Sequence, residues 1–239
     1  MTAVIDALPP RGRPILAEAL GTFALVFAGC GAIMVDASRG GLGTVGIAAT
    51  FGFVIAAMVV ALGPVSGAHF NPAVSVALAA IGRFGWRDVP GYVAAQLTGA
   101  IAAAGLLRAS LGNIAGIGAT SPSGSDGQSF LWEVVLTGFL LLVIAAVVSH
   151  APGPAAAGLP IGGTVALASL CGGAISGASM NPARSIGPAL VSGDTGSLWI
   201  YIIAPLVGGA VGAACYRAMG TRPTAAPEQT AVEPDGAAG

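Results

Sequence analysis

Apolar residues in this chain run in blocks too long for a strand and too uniform for the one-sided stripe of a surface helix. Six blocks reach or approach the ~20 residues that a helix needs to cross a hydrocarbon core. They are 15–35, 45–62, 89–107, 130–149, 159–175 and 198–219. The only acids inside them are Glu18, in the first, and Glu133, near the start of the fourth. Two more apolar stretches, 72–81 and 182–191, are about ten residues long, and that length predicts re-entrant half-helices rather than spans. Each half of the chain therefore reads span, span, half-helix, span. A Gly/Ser-rich stretch, 109–129, joins the halves, and Pro, Gly and Ala over 150–158 predict a turn.

Both half-helices begin in one ten-residue pattern written twice. Ser66 to Ser75 reads Ser-Gly-Ala-His-Phe-Asn-Pro-Ala-Val-Ser, and Ser176 to Ser185 reads Ser-Gly-Ala-Ser-Met-Asn-Pro-Ala-Arg-Ser. Matches at a constant spacing make the chain an internal duplication. Asn71 and Asn181 suit the N-cap, where a side-chain oxygen accepts from free N–H groups of the first turn. Pro72 and Pro182 follow at the helical position that loses nothing by lacking an N–H, with Ala73 and Ala183 behind them. A lone Asn-Pro is an ordinary surface turn; two, each opening a half-helix, are not.

Three spans per half is an odd number, so the second half enters the membrane inverted. The half-helices then dip in from opposite faces, and their Asn-Pro starts meet near the midplane. Inverted repeats with broken helices at that depth mark a solute pathway. Arg11, Arg13, Arg83, Arg87, Arg217 and Arg222 share one side, and Arg39 and Arg108 lie on the other. The positive-inside rule puts the first side, with both termini, in the cytoplasm.

Composition supports a polytopic membrane protein: 8% of the 239 residues are charged and 55% are hydrophobic, with a mean hydropathy of +0.86. Soluble domains carry about 25% charged residues. A formal net charge of −1 argues against nucleic acid as a partner. Cys30, Cys171 and Cys215 lie in apolar stretches without metal or disulfide spacing, so neither a metal nor a cofactor is expected. No nucleophile–base spacing stands out, which argues against an enzyme.

The two copies differ where Val74 in the first faces Arg184 in the second. A charge within a membrane protein normally faces a water-filled cavity, so Arg184 is expected at an extracellular constriction, held by backbone carbonyls. Capping turns each Asn oxygen toward its own helix, which leaves the amide N–H groups of Asn71 and Asn181 for the lumen. They would orient a file of water, while the facing helix dipoles repel cations and protons. Glu18 and Glu133 occupy matching places. They read either as proton-relay groups of a coupled transporter or as structural acceptors for the loops before each half-helix. His69 reads either as a lumen-lining group or as a packed loop histidine.

The duplicated Asn-Pro-Ala, with Arg after the second copy, resembles the major intrinsic protein (aquaporin) family over about 15–219. The resemblance implies six tilted transmembrane helices plus two re-entrant half-helices, and a homotetramer with a pore in each subunit. The duplication, with polar or Pro/Ala-rich composition at the two ends, divides the chain into a cytoplasmic arm (1–13), a channel domain (14–219, with repeats 14–110 and 130–219) and a disordered cytoplasmic tail (220–239). The family's constriction carries over, by distance from the Asn residues, to Phe51, Ser169, Ala178 and Arg184. Ser169 stands where water-selective members usually have His. Ser185, Ala189, Tyr201 and Ile202 resemble the nodulin-like branch of plant channels and its bacterial relatives, which pass glycerol, urea or undissociated metalloid acids. The expected function is thus a passive channel for water and small uncharged solutes in the inner (plasma) membrane. An ion-coupled secondary transporter and a strictly water-selective channel are the alternatives.

Overall fold

The computed structural model describes residues 12–150 and 153–220. Its helices are α1 (Gly12–Arg39), α2 (Gly43–Ser66), α3 (Pro72–Ala80), α4 (Val89–Leu111), α5 (Asp126–His150), α6 (Pro154–Ser176), α7 (Pro182–Ser192) and α8 (Leu198–Ala218). All but α3 and α7 are long and apolar enough to cross a membrane. The described residues form an all-α protein of six spans and two short helices, as the hydropathy pattern predicts. The greater part of the expected arm and tail, with Arg11 and Arg222, lies outside the described residues.

Helix ends depart from the apolar blocks. α1 runs on to Arg39, α5 begins at Asp126, and α6 begins at Pro154 although 150–158 reads as a turn. Hydropathy reports the solvent a residue prefers, whereas the helix continues while its backbone hydrogen bonds do. Pro154 at the start of α6 is compatible with that, since the first turn needs no donor there. α2 and α6 stop alike: Gly67 and Gly177 take left-handed conformations and donate back to the Gly63 and Gly173 carbonyls.

Small residues bring the spans together. A Cβ on Gly99 of α4 would strike the Ala19 carbonyl oxygen of α1, and one on Gly208 of α8 would strike the Val134 carbonyl oxygen of α5. Gly187 of α7 lies so close to α4 that a Cβ would sit 2.7 Å from the Ala100 carbonyl. Such approaches replace hydrophobic driving force, which lipid does not supply between helices, with backbone-to-backbone packing. Each half-helix packs chiefly on the last span of the opposite half, α3 on α8 and α7 on α4. The two repeats are thereby interlocked. Arg83 donates to Ser149 Oγ at 3.2 Å, tying the loop after α3 to the end of α5, and Arg108 donates to the Val191 carbonyl at the opposite end.

Candidate functional site

Asn71 and Asn181 are N-caps with extended backbones. Asn71 Oδ1 accepts from Ala73 N at 2.9 Å, and Asn181 Oδ1 accepts from Ala183 N at 3.0 Å and Arg184 N at 3.3 Å. The amide nitrogens do something the motif alone does not reveal. Asn71 Nδ2 donates to the Met180 carbonyl at 2.7 Å, and Asn181 Nδ2 donates to the Phe70 carbonyl at 2.8 Å. Each Asn therefore caps its own helix and ties it to the opposite loop. An amide has two donor hydrogens, so the expectation that the N–H groups serve only the lumen needs correction: one hydrogen of each is committed across the repeat.

The loops that enter the half-helices are strained in the same way. Ala68 and Phe70 have φ of 54° and 50°, and Ala178 and Met180 have 42° and 52°. Left-handed conformations are uncommon for residues with a Cβ and persist only where surroundings hold them. Two buried acids do the holding. Glu18 Oε1 accepts from Ser66 Oγ (2.7 Å) and His69 N (2.9 Å), and its Oε2 accepts from Phe70 N and Gln96 Nε2 (both 2.7 Å). Glu133 Oε1 accepts from Ser176 Oγ and Ser179 N (both 2.8 Å), and its Oε2 accepts from Met180 N (2.7 Å). Both acids are 0% exposed.

Two cavities meet at Arg184, and one of them reaches the Asn pair. The inner one, about 60 Å³, is bordered by Asn71, Asn181, the entry loops and apolar side chains such as Ile55, Val59, Leu140 and Ile144. The outer one, about 310 Å³, is bordered by Thr44, Thr120, Ser121 and Ser123 among others. Phe51 and Arg184 border both cavities, Ser169 borders only the outer and Ala178 only the inner. The Arg184 guanidinium stands 5.1 Å from the centre of the Phe51 ring, within cation–π range. Its NH1 donates to the Gly118 carbonyl at 2.8 Å, and its Nε is buried without a protein partner.

Gly118 comes from the linker between the halves, which is more than a loop. Ala115, Gly116, Ile117 and Gly118 are all left-handed, and Ile117 is 0% exposed, packed with Val26, Cys30 and Leu107. A β-branched residue with positive φ is an outlier. Buried Ile117 pegs the linker into the bundle and so holds the Gly118 carbonyl against Arg184. No side chain fits at 118, where a Cβ would sit 2.8 Å from that of Cys30.

His69 is a packed histidine that also borders the inner cavity. Its Nδ1 pairs with Ser75 Oγ at 3.0 Å, and its ring lies 4.6 Å from Phe84 and 5.1 Å from Tyr92. In the second repeat Ser179 takes the place of His69, and a hydroxyl ladder runs from Thr120 to Ser185 (2.8 Å) and on to Ser179 (2.6 Å).

Gly118, Gln96, Tyr92 and Thr120 carry no motif in the sequence. Two of them leave a trace. Gln96 is the one side-chain amide in an otherwise apolar run, and Gly116 and Gly118 bracket an isoleucine inside a polar linker.

Known proteins share much of this sequence and this fold. The family model described as major intrinsic protein matches residues 9–216. Aquaporin NIP1-1 of Zea mays is 48% identical over 211 residues, covering 87% of this chain and 74% of the relative. Nodulin-26 of Glycine max is 45% identical over 211 residues, covering 87% of this chain and 78% of the relative. The X-ray structure of the aquaglyceroporin from Plasmodium falciparum aligns with a TM-score of 0.74 at 31% identity, covering 86% of this chain and 95% of that one. The chain belongs to the major intrinsic protein family. It is a multi-pass membrane protein and a passive channel for water and small solutes, not an enzyme.

Proposed function

We infer that this member of the major intrinsic protein family passes small uncharged solutes such as glycerol, urea or undissociated metalloid acids as well as water, and excludes protons and ions. The observation that carries the reading is the partition between the two cavities. Phe51 offers an apolar wall and Arg184 a fixed set of donors 5.1 Å from the ring centre, while the other two constriction positions are the small Ser169 and Ala178. A solute with a carbon edge and several hydroxyls can lie on Phe51 and face Arg184, which replaces hydration lost on entry. The crossed Asn71 and Asn181 amides each keep one hydrogen for the inner cavity, enough to orient a passing oxygen and break a proton-conducting chain of waters.

The described arginines support an inner (plasma) membrane orientation with cytoplasmic termini: Arg13, Arg83, Arg87 and Arg217 fall at one end of the bundle, Arg39 and Arg108 at the other. Channel domain 14–219 assembles as a homotetramer with a pore in each subunit, as the family resemblance implies.

Stopped-flow light scattering on proteoliposomes, with water and each solute in turn, tests the reading. Ser169→His sets a bulky ring beside Arg184 and cuts glycerol or boric acid flux by on the order of ten-fold, with a much smaller loss of water flux. Equal loss of both, or no solute flux in the wild type, sinks the wide-aperture reading. Gly118→Ala tests the support of Arg184 separately. It forces a Cβ onto Cys30 at a left-handed position, displaces the carbonyl that Arg184 NH1 uses, and shifts the glycerol-to-water flux ratio several-fold. An unchanged ratio in a well-assembled variant means Arg184 does not depend on that carbonyl.

A further inference from the structure

The two repeats also part company at a further buried position. Gly99 rides over Ala19 as Gly208 rides over Val134, and that pair fixes which residues answer one another. On this register Glu133 answers Glu18, Tyr201 answers Tyr92, and Pro205 answers Gln96.

In the first repeat the tyrosine hydroxyl and the amide nitrogen are both served, and Gln96 Oε1 is the atom without a protein partner. Tyr92 donates its hydroxyl to the Ser66 carbonyl at 2.8 Å, and Gln96 donates its amide to Glu18 Oε2 at 2.7 Å. In the second repeat Pro205 has no amide to give, and Glu133 Oε2 accepts from Met180 N alone. The Tyr201 hydroxyl has no protein partner although the residue is 0% exposed, and its cluster packs against Phe130 and Val134, which flank Glu133 along α5. A buried hydroxyl without a partner is rare and costly in native proteins. Three features thus coincide: an orphaned hydroxyl, a carboxylate oxygen with spare acceptor capacity, and a side-chain amide exchanged for a smaller ring.

We propose that the second repeat binds a single structural water between the Tyr201 hydroxyl and Glu133 Oε2. The water accepts from Tyr201 and donates to Glu133, doing for this acid what Gln96 does for Glu18. Its second hydrogen serves the Ser176 carbonyl, the counterpart of the Ser66 carbonyl that Tyr92 serves. A buried water needs two to four polar partners and room for about one probe sphere, and the exchange of Gln for Pro supplies the room. Tyr201 borders neither the inner nor the outer cavity, so this water belongs to the scaffold and not to the transported file. It completes the set of bonds that holds the loop from Ser176 to Met180.

Two measurements on the full-length protein decide the matter. A wild-type crystal structure fine enough to show ordered waters carries a peak within hydrogen-bond distance of both the Tyr201 hydroxyl and the Glu133 carboxylate; a clear map without one overturns the proposal. Tyr201→Phe keeps the ring packing and removes the donor to the water. Its thermal midpoint falls by about 2–4 °C, while water permeability per assembled channel stays at the wild-type level. If the hydroxyl has no ligand, its removal relieves an unsatisfied group, so an unchanged or raised midpoint is the contrary result. Permeability lost in a folded Tyr201→Phe variant would place the hydroxyl on the conducting path and overturn the scaffold assignment.

Discussion

Glu18→Ala and Glu133→Ala abolish assembly of the folded channel, measured as loss of a monodisperse detergent-solubilised particle. The reason is the number of donors each carboxylate serves. Glu18→Ala strands Ser66 Oγ, His69 N and Phe70 N and leaves Gln96 Nε2 with Ser75 Oγ alone; Glu133→Ala strands Ser176 Oγ, Ser179 N and Met180 N. Each buried group left unpaired costs about 1–3 kcal/mol, and three together approach the whole stability of a domain, about 5–15 kcal/mol. The loops also lose what holds Ala68, Phe70, Ala178 and Met180 at positive φ. Glutamine separates the two acids. Its one carbonyl oxygen keeps both bonds that Glu133 Oε1 accepts and loses Met180 N, while the proposed water can turn to accept from the new amide; at 18 it keeps two of four, and Gln96 Nε2 cannot turn in that way. Glu133→Gln is therefore milder than Glu18→Gln. In both Gln variants passive flux, where the protein assembles, remains insensitive to a pH gradient. Proton-driven uphill accumulation of solute by the wild type would overturn the scaffold assignment and make the acids part of a coupled transporter.

The acids illustrate which parts of this molecule are legible in its sequence. Spans and half-helices are written in the length of apolar runs, because the thickness of a bilayer sets that length. Caps are written in Asn-Pro, because the chemistry lies within one turn of the residue itself. The matching acids declare themselves as charges where charge is expensive, but not which groups they serve, since His69 N and Phe70 N lie some fifty residues from Glu18 in sequence. Long-range hydrogen bonds to backbone leave no residue signature on the backbone side. The same holds for Arg184. Its need for a carbonyl can be read from its charge, whereas the choice of Gly118 depends on a linker that folds inward through Ile117. The 150–158 stretch shows the converse error: its Pro, Gly and Ala suggest a turn, yet Pro154 onward is helical.

Asn71 and Asn181 put the largest functional effect at the point where the repeats meet. Asn→Ala at either site removes an N-cap, worth ~1 kcal/mol, and a donor to a buried carbonyl of the opposite loop, about 1–3 kcal/mol more. A packed bundle survives that loss, so the variants assemble, and conduction of water and solute falls by on the order of ten-fold or more as the crossed bonds open. Asn→Asp separates the two roles of the side chain. A carboxylate caps a helix as well as an amide does, so Ala73 N, or Ala183 N and Arg184 N, keep their acceptor. It cannot donate to the Met180 or Phe70 carbonyl, and it sets an oxygen against an oxygen where the amide now bonds at 2.7 or 2.8 Å. If capping were the whole role, Asp would conduct like wild type and only Ala would fail. If the crossed amides hold the two half-helices in register, both substitutions fail, and Asp fails despite an intact cap. Stopped-flow permeability of Asn71→Asp and Asn181→Asp, normalised to assembled protein, is expected to show the second pattern; wild-type rates for every solute in either Asp variant would reduce the crossing to an ornament of the cap.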